Sequence, residues 1–250
     1  MINKYLKNLR RIEFVVTDAC TGKCKHCSQG EHSKNGCLDK NKAADVIRKI
    51  SRIYNINSVM TFGGEALLFP DVVCEIHKAA KENGIFNRQL ITNGYFSEDK
   101  QKIKYVADQL TDSGVNEILL SVDAFHQETI PVEYVRLFAE EIMKNNIKIK
   151  TNPAWLSGRN AENPYNIMTK HLLEEFIAMG IEEGQGNNVF PEGNALKYFA
   201  EYFSEVNDFR NPYAEDPKNI KAISISANGD VLGGNINDTD IADIISFYHT

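Results

Sequence analysis

Five cysteines occur in the 250 residues, and three of them, Cys20, Cys24 and Cys27, fall within a span of eight. An odd number of thiols in a long chain that shows no secretion signal does not suit a disulfide framework. Thiols clustered this tightly are better explained as metal ligands. The spacing Cys20-x-x-x-Cys24-x-x-Cys27 lets three thiolates wrap three corners of a cubane iron–sulfur cluster, which leaves the fourth iron without a protein ligand. A structural zinc site would need a fourth ligand such as His26 or His32, and zinc modules usually pair two cysteine clusters. No second pair exists here, since Cys37 and Cys74 stand alone. A thiolate from Cys37 would close the open corner, so Cys37 reads as an ordinary loop thiol. Cys74 reads as a packing residue on a helix.

Other polar groups of chemical interest sit where apolar runs end. Gly63-Gly64-Glu65 follows one such run, Thr92-Asn93-Gly94 the next, Ser121-Val122-Asp123 closes another, and Asn152 follows a fifth. Paired glycines allow close backbone approach, and a carboxylate beside them is a charge-assisted acceptor for an ammonium group. Taken singly, Glu65 or Asp123 could be a cap at a helix start. Ser121 and Asn152 could bond to local backbone. His126 reads as an exposed loop histidine, and Trp155 and Arg159 as residues of the loop after the fifth run.

The stretch Thr17–Cys27, TDACTGKCKHC, resembles the signature of the radical S-adenosylmethionine (SAM) superfamily, with His26 in the aromatic slot before the last cysteine. Gly63-Gly64-Glu65 resembles the GGE motif of that family. The resemblance runs from about Leu9 to Ala195. It implies a [4Fe–4S] cluster on Cys20, Cys24 and Cys27, with SAM on the open iron. It also implies SAM contacts from Gly63, Gly64, Glu65, His26, Ser121, Asp123 and Asn152, and an electron donor such as a flavodoxin or ferredoxin. The implied activity is reductive cleavage of SAM to a 5′-deoxyadenosyl radical that abstracts hydrogen. Ile223–Ile236, ISISANGDVLGGNI, resembles the start of the SPASM or twitch extension of peptide-modifying members, and Pro191-Glu192-Gly193-Asn194-Ala195 resembles a P-x-G-x-A stretch of the same lineage. That extension normally carries a cysteine where this chain has Gly234, and no cysteine follows Cys74, so no auxiliary cluster is expected. A peptide substrate is one expectation. A small-molecule enzyme or glycyl-radical activase is the second, and a non-catalytic zinc or electron-transfer protein is the alternative from another class.

The elements that must position these residues can be read from periodicity. Ile12–Thr17, Ser58–Phe62, Gln89–Thr92, Glu117–Val122 and Ile147–Thr151 are short apolar or alternating runs that predict strands. A sixth is expected near Gln185–Phe190. Between them, Ala43/Val46/Ile47/Ile50, Val72/Val73/Ile76/Ala79/Ala80, Ile103/Val106/Ala107/Leu110, Val135/Phe138/Ala139/Ile142 and Leu172/Leu173/Phe176/Ile177 recur at helical spacing. Ser97 is the expected cap of the third helix, and a further helix is expected over about Asn194–Val206. Six β/α units in series predict a parallel sheet with right-handed crossovers, in the form of a partial (β/α)6 TIM-like barrel. Reactive groups in such folds lie at the C-terminal ends of the strands, and each motif above falls there.

From about Asn207 the pattern changes, so residues 1–206 are expected to form the barrel and 207–250 an extension. Ile223–Ser226, Asn228-Gly229 and Val231-Leu232 predict a hairpin. Ile241, Ile244, Ile245 and Tyr248 predict a short helix that packs on the barrel. Hydrophobic residues make up 42% and charged residues 25%, ordinary for a soluble globular chain, and the net charge is -6. An acidic chain repels phosphate backbones, so no nucleic-acid partner is expected. No apolar run approaches the roughly 18 residues of a membrane span. The basic N-terminus lacks the apolar core of a signal peptide, so a cytoplasmic location is expected.

Overall fold

The computed structural model describes residues 2–30, 36–203, 211 and 213–250. In chain order its strands are β1 (Arg11–Val15), β2 (Ser58–Phe62), β3 (Asn87–Thr92), β4 (Glu117–Leu120), β5 (Lys148–Thr151), β6 (Ala154–Trp155), β7 (Glu182–Glu183), β8 (Asn187–Asn188), β9 (Ala222–Ile225), β10 (Asp230–Val231) and β11 (Gly234–Asn235). The helices are α1 (Lys40–Ser51), α2 (Pro70–Glu82), α3 (Lys100–Ser113), α4 (Ala124–Gln127), α5 (Val132–Lys144), α6 (Pro164–Ala178), α7 (Gly193–Tyr198), α8 (Ala200–Phe203) and α9 (Ile241–Phe247).

Seven strands form one sheet in the order β7-β5-β4-β3-β2-β1-β9. Every neighbouring pair in it is parallel. This is the partial TIM-like α/β architecture that the β/α alternation predicts. Four of the five helical stripes bury as expected: α1, for example, buries Ala43, Val46, Ile47 and Ile50, and adds Ala44. In α6 only Leu173 and Phe176 of the expected stripe are buried; Ile177 is exposed, and Asn166 and Thr169 fill the inner face instead. Asp39 starts α1 by accepting from the Asn41 and Lys42 amides, which satisfies two of the four donors a helix leaves open. α3 starts from Asp99, whose side chain accepts from Gln101, and not from Ser97, whose hydroxyl accepts from the Asp99 amide one step earlier. Gly114, at φ 90, ends it in the left-handed conformation that glycine adopts most easily.

The sheet departs from the sequence reading at both ends. The sixth strand is β7, three residues before the expected Gln185–Phe190 and only two residues long. It pairs with β5, after which the chain turns and places Asn187–Asn188 beside β6. The helix expected over Asn194–Val206 is two short pieces, α7 and α8, and the residues after Phe203 up to Arg210 lie outside those described. The expected domain boundary falls among them. At the other end, β9 adds itself to the barrel sheet beside β1, in parallel, with Ile12 opposite Ile223 and Phe14 opposite Ile225. It covers the edge that β1 would otherwise expose, a liability in any open sheet. The tail hairpin is β10 with β11, one turn later than expected: Ile223–Ile225 pairs with β1, and the hairpin reverses at Leu232-Gly233 and not at Asn228-Gly229. Its two-residue turn, Leu232 at φ 52 and Gly233 at φ 79, has the left-handed pair that tight hairpins need. Ile241, Ile244 and Ile245 of α9 are buried, and α9 packs against α1.

Most buried apolar side chains belong to one core between the sheet and its helices. A second, smaller cluster lies beyond the C-terminal strand ends, where Phe125, Ala154, Leu156, Ala195, Phe199 and Phe203 meet. No helix among the described residues is long and apolar enough to cross a membrane.

Candidate functional site

The three cysteines occupy the loop that leaves β1, at the C-terminal end of the sheet. Cys24 is buried, while Cys20 and Cys27 are partly exposed, and none of the three is in a disulfide. Cys20 has Cys27 among its electrostatic neighbours, and Cys24 has both Cys20 and Cys27, so the three side chains lie near one another. Burial pushes the Cys20 thiol up to about 11. Burial, followed by the Asp123 charge, also pushes Cys24 up. Without a metal the loop therefore keeps these thiols protonated near neutrality. Cys37 responds instead to burial and to Asp71, Asp39 and Lys40, and Cys74 lies on α2. The remaining candidate zinc ligand, His32, lies outside the described residues.

The end of β2 presses against the start of this loop. A Cβ on Gly63 would come 2.4 Å from the Thr17 carbonyl oxygen, and one on Gly64 would come 2.2 Å from that of Ala19. The glycines let Gly64 N–H donate to Thr17 O (2.8 Å) and Glu65 N–H to Ala19 O (2.8 Å). Their close approach is thus first of all to the cysteine loop itself.

Glu65 follows at once and is fully buried. One carboxylate oxygen, Oε1, accepts from the Leu67 amide (2.8 Å) and from the Thr92 hydroxyl (2.7 Å). The other, Oε2, accepts from the Asn93 amide (2.8 Å). Burial pushes this carboxyl up, against the pull of those same donors. Asn93 extends the network, because its side-chain amide donates to Thr21 Oγ1 (3.2 Å) and approaches Cys20 Sγ at 3.7 Å. The sequence reading put Asn93 in a strand-end motif but not in the site. Its spacing from the cysteine loop, 72 residues from Thr21, gave no local signal.

A second network closes the other side. Asp123, also fully buried, caps α4 by accepting from the amides of Phe125 (3.0 Å) and His126 (2.9 Å). It also accepts from the Ala154 amide (2.9 Å) and pairs with Nδ1 of His126 at 2.8 Å. Burial works against the Asp123 carboxylate, but the charge and hydrogen bond of His126 prevail and hold it well below the usual carboxylate range. Burial likewise favours neutral His126, yet Asp123 holds its pKa above the ordinary value. His126 is therefore no exposed loop histidine: it sits half-buried on α4, paired with the buried Asp123. Its edge meets the His26 ring, centroids 4.7 Å apart, and His26 lies tilted on Phe125 at 4.9 Å. Burial, then the His126 charge, pushes the His26 imidazole down to about 4. Nδ1 of His26 is buried with no partner. His126 also shares electrostatic contact with Cys27 and with Glu65, which makes the two networks one site.

Ser121 is buried, and its amide bonds to Thr92 O (2.9 Å). Asn152 is partly exposed, with its amide on Leu120 O (2.7 Å). Both stand at strand ends, but no bond ties their side chains to the groups above. Trp155 is buried and donates to Gln185 O (3.2 Å). Arg159 lies over the Trp155 ring and pairs with Glu183 at 2.7 Å.

The comparisons with known proteins bear on the family and the fold. The model of the radical SAM superfamily matches residues 14–168, and the chain belongs to that family. A protein named probable GTP 3′,8-cyclase from Saccharolobus solfataricus is 27% identical over 224 residues, 83% of this chain and 68% of that protein. One of the same name from Methanocaldococcus jannaschii is 30% identical over 129 residues, covering 51% of this chain and 41% of its own. Among solved structures, Streptococcus suis SuiB bound to S-adenosylmethionine matches with a TM-score of 0.65 at 14% identity, over 97% of this chain and 66% of that one. The anSMEcpe enzyme with AdoMet and a Cp18Cys peptide matches at 0.62 with 13% identity, over 94% and 79%. BtrN with AdoMet and 2-DOIA matches at 0.53 with 14% identity, over 95% and 82%.

The chain is thus a radical SAM enzyme, of a family that works with a [4Fe–4S] cluster and SAM. The donor set present fits that pair of groups. Three neighbouring thiols suit three irons, and Cys37, which packs against the main core, is not among the electrostatic neighbours of Cys20 or Cys24. The orphaned, buried Nδ1 of His26 marks a place where a bound molecule would supply the missing partner.

Proposed function

We propose that Cys20, Cys24 and Cys27 hold the cluster, that Gly63, Gly64, Glu65, His26, Ser121, Asp123 and Asn152 form the SAM site, and that the substrate is a peptide. The observation that carries this reading is the convergence of the cysteine loop, the Glu65 network and the Asp123–His126–His26 network at one end of the sheet. Held by these residues, the cluster would supply the electron for reductive cleavage of SAM, the chemistry by which this family abstracts hydrogen from a substrate.

The chain's own residues prepare that step. The Cys20 and Cys24 thiols, held protonated by burial, would release their protons to solvent on binding iron as thiolates, so cluster assembly is favoured as pH rises. Glu65 keeps an acceptor for an ammonium group, because Oε2 takes one protein donor and a carboxylate oxygen has two lone pairs. The Thr92, Leu67 and Asn93 bonds fix the direction of that lone pair. His26, backed by Phe125, offers an aromatic face of the kind that stacks on a purine. Asp123 has both oxygens occupied by protein donors, so it acts through His126, whose ring it orients. The aromatic cluster around Phe125 and Phe199 keeps water from this flank.

The substrate reading rests on the tail and on charge. The SPASM-like hairpin is present and is joined to the sheet through β9. The matches to SuiB and anSMEcpe, each also solved with a peptide, span nearly the whole chain. A nucleoside triphosphate, the second reading suggested by the relatives' name, calls for cations free to bind phosphate. At the strand ends Lys25 is held by Glu128 and Arg159 by Glu183. The test is anaerobic incubation with SAM and a reductant, with 5′-deoxyadenosine measured alone, with GTP, and with short peptides encoded beside the gene. Stimulation by a peptide supports the reading. Stimulation by GTP, with a cyclised nucleotide as product, overturns it.

A further inference from the structure

We propose that Asn194 is a positioning residue for the iron–sulfur cluster, one that stitches the Cys24–Gly30 half of the cysteine loop into its metal-binding shape. The inference rests on the reading of Cys20, Cys24 and Cys27 as cluster ligands.

Left to itself, this half of the loop is weakly held. Its own turns are closed by Cys27 N–H to Cys24 O and by Gly30 N–H to Cys27 O, both at 3.3 Å, beyond the usual range for such bonds. Asn194 supplies further donors to the same carbonyls. Its backbone N–H donates to Cys27 O at 2.9 Å. Its side-chain amide reaches Cys24 O at 3.4 Å and Gly30 O at 3.3 Å, each at least as long as the bonds of the loop's own turns, so the side chain adds two weak bonds to the one good backbone bond. One residue thus ties three carbonyls of the loop, two of them belonging to cysteines.

The neighbours of Asn194 are fitted to the same contact. Gly193 has φ +55, and a Cβ there would lie 2.3 Å from Ser28 O and 2.7 Å from Gly30 N. Only glycine lets the segment lie this close to the loop. Ala195 and Phe199 are buried in the small aromatic cluster, where Phe199 meets Phe125 edge-on at 5.4 Å and Phe125 carries His26. The segment therefore grips the loop around Cys27 from two sides. The bland reading, that Asn194 serves the start of α7, does not fit. The residue at the cap position is Glu192, no side chain caps that helix, and the Asn194 amide points at the cysteine loop instead. Asn194 also lies outside residues 14–168, where the family model matches. Hydrogen bonding and rigidity around a cluster tune its spectrum and potential, so the stitch has a readout beyond stability.

The test compares reconstituted wild-type protein with Asn194→Asp and Asn194→Ala. The Asp variant keeps the shape but sets a carboxylate oxygen where the amide donor faces two carbonyls. Expected are iron release to a chelator several-fold faster for Asn194→Asp, where two long hydrogen bonds give way to a carboxylate facing two carbonyls, a smaller acceleration for Asn194→Ala, and a changed EPR signal of the reduced cluster in both. Should Asn194→Asp fail to fold, the alanine variant decides by the same two readouts. Iron release and EPR signals equal to wild type overturn the proposal. So does a lowered melting temperature of the cluster-free protein with an unchanged EPR signal, since that is a role in folding alone. Wild-type protein that takes up zinc and no iron would sink the cluster reading itself, whereas iron in the wild type with indifferent variants would sink only the role of Asn194.

Discussion

Replacing Glu65 with alanine removes the acceptor for the Leu67 amide, the Asn93 amide and the Thr92 hydroxyl, at 2.8, 2.8 and 2.7 Å. All three donors belong to buried residues. A buried donor left unpaired costs about 1–3 kcal/mol, so the gross loss is several kcal/mol. Two effects offset it. The variant no longer desolvates a carboxylate, which costs several kcal/mol in itself, and the Thr92 hydroxyl can turn toward a water admitted to the vacated space. The net destabilisation should be about 2–4 kcal/mol, or roughly 5–15 °C in melting temperature for a chain of this size. Glu65→Gln should cost less, because one oxygen can still serve Leu67 and Thr92 while the new amide opposes only the Asn93 N–H. Calorimetry of the cluster-free proteins measures the ranking. Hydrogen exchange at the Leu67 and Asn93 amides, faster in Glu65→Ala, shows that these bonds are the cause. An alanine variant that melts within about 2 °C of wild type, with both amides still protected, would refute the reasoning.

Three further outcomes follow from other parts of the molecule. Gly64→Ala would bring a Cβ to 2.2 Å from Ala19 O, displacing the cysteine loop. Less iron should be incorporated per folded chain, and normal reconstitution would show the approach to be dispensable. His77 is buried against Thr61 (2.9 Å), and burial, then the Arg88 charge, pushes its imidazole down to about 3. The folded state keeps it neutral while the unfolded chain takes up a proton below about pH 6.5, so the stability it contributes is whole above that value. That stability is lost as pH falls toward 3, at up to about 1.4 kcal/mol per unit. His77→Gln should flatten the melting temperature between pH 6.5 and 4, and an unchanged slope would contradict the assignment. Deleting residues 239–250 strips Ile241, Ile244 and Ile245 from the core, each worth about 1.5–3 kcal/mol when fully buried. The truncated protein should melt well below the full chain, with iron per folded molecule unchanged.

How far the sequence reveals this molecule depends on whether a feature is local. The first four helical stripes and the first five strands are local patterns of apolar spacing, and they appear where the periodicity puts them, whereas α6 turns the polar Asn166 and Thr169 inward and leaves Ile177 exposed. Gly63-Gly64-Glu65 and the cysteine loop are adjacent in space because both end neighbouring parallel strands, which topology alone dictates. β7 was misplaced because it is an edge strand of two glutamates, while the apolar Val189-Phe190 nearby imitated a strand. The partner of β9 could not be read either, since joining β1 is a choice between sheet edges and not a property of ISIS. His126 was taken for a loop residue because a helix of four residues carries no periodicity. Asn93 and Asn194 look like turn residues beside glycines, and only the fold brings their amides to the cysteine loop. Gly234 tells the opposite story. Its lack of a side chain, first read as a lost ligand, also has a packing reason, since a Cβ there would lie 2.9 Å from Ile244.

The central claim is that Cys20, Cys24 and Cys27 hold one cluster whose open iron takes SAM beside Glu65. EPR of the anaerobically reconstituted and reduced protein, with and without SAM, tests it most directly. The account predicts about four irons per chain, a signal that shifts when SAM is added, and loss of both iron and signal in Cys20→Ala, Cys24→Ala and Cys27→Ala but not in Cys37→Ala or Cys74→Ala. Stoichiometric zinc without iron, or a signal that responds to SAM only after Cys37 is removed, would contradict it.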